Sequence, residues 1–110
     1  MPAEAVAQDD RAASVAPAIR PTAPWRVQEV TALPDDRLFV RFVDGLTGFV
    51  DLSALIASPS AGVFARLRDR TLFARAHIEM GAVVWPGALD LAPDAMHAAI
   101  KAHGEWRIAP

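Results

Sequence analysis

The chain has 110 residues, of which 53% are hydrophobic and 22% charged, with a net charge of -2 and no cysteine. That length supports one small domain, and the near-neutral balance excludes a chain-wide polybasic surface of the kind that drives non-specific nucleic-acid binding. The lack of cysteine excludes a disulfide framework, a thiolate zinc site and a cysteine nucleophile, and no apolar run approaches the roughly 18 residues of a membrane span.

Residues 1–24 hold eight Ala, four Pro and no aromatic. The prolines interrupt any long helix, and alanine raises the apolar percentage without supplying core volume. Glu4, Asp9 and Asp10 stand where a secretion signal needs basic charge. The segment reads as a disordered Ala/Pro-rich tail, which leaves residues 25–110 as a single α+β domain. All three Trp and all five Phe fall in that domain.

Trp25 to Leu33 is rich in β-formers and is closed by the turn residues Pro34-Asp35-Asp36. From Arg37 to Val43 large apolar residues recur with a period of two. Asp44-Gly45 then suggests a two-residue type I′ turn, and Leu46 to Leu52 returns as the partner strand. This puts Leu38, Val40, Phe42, Val50 and Leu52 on one face. Phe39, Phe49 and Val43 make the other face partly apolar, which calls for a second packing surface or a partner.

Ser53 is placed to N-cap a short helix to about Ala57. Ser58-Pro59-Ser60-Ala61-Gly62 breaks it, and Val63 to Phe73 reads as a helical turn and a loop carrying Arg66, Arg68 and Arg70, with Arg75 beyond. Ala76 to Met80 and Ala82 to Trp85 form a second hairpin about Gly81. The clearest helix runs from Ala92 to His103, with Pro93 first, Asp94 in the first turn, Met96 and Ile100 as an apolar pair, and Gly104 beyond its end. The expected architecture is α+β: a small antiparallel sheet of about four to five strands in two hairpins, packed by a C-terminal helix, with a short helix in the middle.

Catalytic patterns are scarce. No serine lies in a Gly-x-Ser-x-Gly elbow, and His77, His97 and His103 lack metal-ligand spacing. No catalytic residue, metal site or cofactor is expected. The acidic residues Asp44, Asp51 and Asp90 suit a turn, a strand end and a helix entry; Asp90 in particular is placed to accept amides at the start of the last helix. An enzymatic reading requires Asp90 and a histidine to meet in one pocket. The arginine cluster suits a solvated loop face or contact with an acidic partner or a nucleic acid.

The run Val84-Trp85-Pro86-Gly87-Ala88-Leu89-Asp90-Leu91-Ala92-Pro93-Asp94 resembles the closing signature of a small bacterial family known as domain-of-unknown-function family 2442, with Leu89 inserted relative to the usual spacing. Leu38 to Gly45 resembles its hairpin and Phe49-Val50-Asp51-Leu52 its return strand. Val63 to Leu67 and Phe73 fall where the family has further apolar positions. The resemblance spans about residues 25–96. It implies a compact α+β domain with no established catalytic residues. It also implies a gene neighbour resembling domain-of-unknown-function family 4160, the pair being regarded as a toxin–antitoxin module with this family as the antitoxin. The expectation is therefore a non-enzymatic, cytoplasmic protein-interaction domain whose partner is a small toxin. Asp44, Gly45, Asp51, Trp85, Pro86, Asp90 and Pro93 act as architecture, and Phe39, Phe49, Arg66, Arg68, Arg70 and Arg75 as the partner surface. The alternative is a nucleic-acid-associated regulator that uses the arginines.

Overall fold

The computed structural model describes residues 23–110; the expected tail at 1–24 lies almost wholly outside the described residues. In chain order the elements are β1 (Val27–Leu33), β2 (Arg37–Phe42), β3 (Thr47–Asp51), α1 (Ser53–Ala57), a 3-10 segment (Gly62–Arg68), α2 (Arg70–Phe73), β4 (His77–Glu79), β5 (Ala82–Trp85), β6 (Leu89–Asp90), α3 (Pro93–His103) and β7 (Glu105–Arg107). They form two sheets, one of four strands in the order β1-β2-β3-β7 and one of three in the order β4-β5-β6. The α+β class, both hairpins and the C-terminal helix are as the sequence suggests. The single sheet is instead two, and β7 adds to β3 in parallel, with Val50 opposite Trp106.

The period of two in β2 and β3 sorts residues by face. Leu38, Val40, Phe42, Val50 and Leu52 are fully buried, and α3 lies over this side. Gly48 belongs to the same side and lets the helix approach, since a methyl group there would sit 2.5 Å from Ile100 Cγ2 and 2.8 Å from the Gly104 carbonyl. Met96 and Ile100 of α3, Leu67 of the 3-10 segment, and Val83, Trp85 and Leu89 of the smaller sheet complete one continuous core. A Val27 amide bond to the Gly81 carbonyl, 2.8 Å, ties the two sheets together. The Trp85 indole fills the centre and donates its Nε1 hydrogen to the Phe73 carbonyl at 3.0 Å, away from water.

The turns differ from expectation in an informative way. At Asp44-Gly45 only Gly45 has positive φ, +92°. Phe42 accepts from the Gly45 amide and donates to the Leu46 carbonyl, so Val43, Asp44 and Gly45 form a three-residue loop whose left-handed glycine makes a bulge. The two-residue turn with both φ positive occurs instead at Met80-Gly81, between Glu79 and Ala82. Ser53 does not cap α1 with its hydroxyl. The roles are reversed: Asp51 Oδ1 accepts from the Ser53 hydroxyl at 2.6 Å and from its amide at 2.9 Å. At α3, Pro93 begins the helix and Gly104 ends it with φ +79°, as expected.

Two carboxylates thus hold chain reversals. The Leu46 amide and the His97 imidazole keep the Asp44 carboxyl below its ordinary value of 3.8, and the Ser53 hydroxyl and amide do the same for Asp51. A carboxyl lowered in the folded state contributes stability above its unfolded pKa and loses it as pH falls through the folded one. The melting temperature is therefore expected to hold near neutrality and to fall below about pH 4. In Asp44→Asn, which cannot titrate, that acid-side fall should be shallower; an unchanged slope in a pH series of thermal melts would show that Asp44 has no such role.

Candidate functional site

The outer face of the four-stranded sheet is built by the alternation that builds the core. Reading across β1, β2, β3 and β7, one row is Leu33, Arg37, Asp51 and Arg107, and the next is Thr31, Phe39, Phe49 and Glu105. Glu29, Arg41 and Thr47 follow on the first three strands. Phe39 and Phe49 meet edge to face, ring centroids 5.8 Å apart, and Phe49 is 38% exposed. The Arg37 guanidinium stands 4.9 Å from the centre of the Phe49 ring, a cation–π contact. Arg41 pairs with Glu29 at 2.7 Å and Arg107 with Glu105 at 2.8 Å. An aromatic centre is thus ringed by three guanidiniums and three carboxylates. Val43 is also exposed, at the hairpin tip.

The arginine cluster lies elsewhere and is largely engaged within the chain. Arg68 donates to the carbonyls of Ile56 at 2.8 Å and Ser58 at 3.1 Å, which end α1. Arg66 donates to the Gly87 carbonyl at 3.1 Å. Arg70 pairs with Asp36 across the turn between β1 and β2. These side chains fasten the middle of the chain to its surroundings, while Arg75 stays on the exposed surface. Helix α1 ends at a Ser-Pro step, and the freed carbonyls there need donors; that was the one sequence clue to Arg68.

The signature run makes a second feature. Trp85 to Leu89 turns β5 into β6, with Gly87 at φ +92° and Ala88 at +66°. Asp90 does not cap α3, whose start has no side-chain cap. It lies opposite Val84, which in turn lies opposite His77. His77, Glu79, Asp90 and the turn line an open groove of about 320 Å3. The histidine and Asp90 that an enzymatic reading requires therefore share a groove, but His77 is committed. Its Nδ1 donates to the Arg75 carbonyl at 2.9 Å and its Nε2 to Glu79 at 2.7 Å. The carbonyl first, and the carboxylate second, raise its pKa above 6.5. While both bonds hold, neither nitrogen can accept a proton from a substrate. Of the other two histidines, His103 is exposed at the end of α3, and His97 packs edge-on against Phe42 with centroids 4.8 Å apart and bonds Asp44 at 2.9 Å, joining α3 to the β2–β3 loop. Among the described residues no group of three or more His, Asp or Glu is placed to hold a metal ion, and no helix is long and apolar enough to cross a membrane.

The fold defines a small two-sheet α+β domain with an aromatic pair on the open face of its larger sheet; the other exposed large apolar residues, Trp25, Val43, Val63 and Met80, are scattered over loops, turns and the 3-10 segment. The family model described as Protein of unknown function (DUF2442) matches residues 27–102, and the chain belongs to that family. No curated protein and no solved structure matches the chain.

Proposed function

We propose that this chain is a non-catalytic protein-interaction domain that acts in the cytoplasm, and that the outer face of its larger sheet is the contact surface. As the family resemblance implies, the partner is a small protein encoded nearby and the role is antitoxin-like: the domain blocks its partner by covering it. The observation that supports this reading is the Phe39–Phe49 pair at the centre of a sheet face, with Phe49 exposed and Phe39 half-buried. Aromatic residues in such positions dominate binding energies when a partner excludes water from them. The nucleic-acid alternative draws on Arg66, Arg68, Arg70 and Arg75, and the first three already donate within the chain.

The test is co-purification of the full chain with the product of the adjacent gene. Phe49→Ser is expected to weaken capture at least about tenfold, the effect of losing a residue at the energetic centre of an interface. Equal capture by the variant, or a neighbour that neither binds nor harms cells when expressed alone, would sink the proposal.

A further inference from the structure

The charges on the outer face are arranged in a way that selects a partner. Glu29, Asp51 and Glu105 alternate with Arg37, Arg41 and Arg107 across the rows described above. The face has no net charge, so a polyanion would meet as many carboxylates as guanidiniums. A surface that is complementary to itself is the requirement for a symmetric pair of identical chains.

Only some two-fold axes satisfy that requirement. Two sheets packed face to face keep their strands within about 30° of each other. An axis in the interface, parallel to the strands and passing between β2 and β3, keeps each row and exchanges the strands. Arg37 of one copy then faces Asp51 of the other, Phe39 faces Phe49, and Arg41 faces Thr47. An axis at right angles to the strands keeps each strand and exchanges the outer rows. Arg37 would then face Arg41 of the second copy, a contact between like charges.

We propose that a second copy of this chain docks on the outer face about the strand-parallel axis, burying the Phe39–Phe49 pairs of both copies beside two Arg37–Asp51 contacts. The proposal rests on the reading of this face as the contact surface and adds that the second copy and the neighbour-encoded protein compete for it, since both need Phe39 and Phe49. A small domain of this kind gains stability from such association.

Sedimentation equilibrium of the full chain is the direct test. The expected mass at high micromolar concentration is twice the 11.8 kDa of one chain. Arg37→Asp and Asp51→Arg, each checked for an intact fold by circular dichroism, are both expected to be monomeric. Mixing the two should restore the dimer, because one copy then presents acids at both positions and the other bases at both. Repair of the contact inside one chain cannot produce that result. Phe49→Ser, at an exposed position, is the second variant and is expected to be monomeric. A wild-type chain that stays at 11.8 kDa, or single variants that remain dimeric, or a mixture that stays monomeric overturns the proposal. A monomer that still captures the neighbour-encoded protein through Phe49 overturns the dimer and leaves the contact-surface reading standing. A dimer whose Phe49→Ser variant captures that protein unchanged does the reverse.

Discussion

Trp85→Ala is expected to leave the domain unfolded or nearly so at 37 °C. The indole is 2% exposed, packs against Phe73 with ring centroids 6.1 Å apart, and supplies the hydrogen bond to the Phe73 carbonyl. Removing a buried tryptophan costs about 3–5 kcal/mol through lost packing and the cavity left behind. The Phe73 carbonyl keeps the Ala76 amide at 3.3 Å, so the lost indole bond adds about 0.5–1.5 kcal/mol. A domain of this size has only about 5–10 kcal/mol in total. Trp85→Phe separates the two contributions, since it keeps a ring in the site and removes only the donor and part of the volume; its loss should be about 1–3 kcal/mol. Urea titrations followed by circular dichroism measure both. A Trp85→Ala variant that loses less than about 2 kcal/mol would show that the core closes around the gap.

Gly48→Ala is the second large effect, and it arises from crowding. The added methyl would lie within 3 Å of both the Ile100 side chain and the Gly104 carbonyl. Ile100 is buried and has little room to turn. Gly104 is held in a left-handed conformation and donates its amide to the Ile100 carbonyl at 2.7 Å. Helix α3 must therefore move off the sheet, at a cost of about 1–3 kcal/mol. Replacing a strand glycine returns some backbone entropy, at most about 1 kcal/mol, so the net change remains a loss. A stability equal to or above that of the parent chain would show that α3 has slack against β3.

What the sequence revealed follows from how local each signal is. The buried face of β2 and β3 was legible because a period of two survives in six consecutive residues. Helix α3 was legible because Pro93 and Gly104 punctuate both ends. The turn at Asp44-Gly45 was placed correctly, but its type was not, since that depends on which amide closes on Phe42. Strand β7 has three residues, and each pairs with a β3 residue 56 positions earlier; neither fact leaves a periodic trace. The same holds for the groove, where His77 and Asp90 become neighbours only through the register of two hairpins across Val84. Asp90 looked like a cap because it precedes a helix. It faces the groove instead because Leu89, beside it, takes the buried position. Of the outer face, Phe39 and Phe49 stood out as aromatics on the wrong side of the alternation. The ring of charges around them did not, because Glu105 and Arg107 join it only when β7 docks.

That balanced ring also sets how an encounter proceeds. With three carboxylates and three guanidiniums, the face exerts little attraction beyond a Debye length of about 8 Å. A partner of the proposed kind is therefore expected to arrive unsteered, at roughly 10^5–10^6 per molar per second, with little dependence on salt. Differences in affinity between partners on this face must then lie in how long they stay, and so in how well they cover Phe39 and Phe49 once the charges have fixed the orientation.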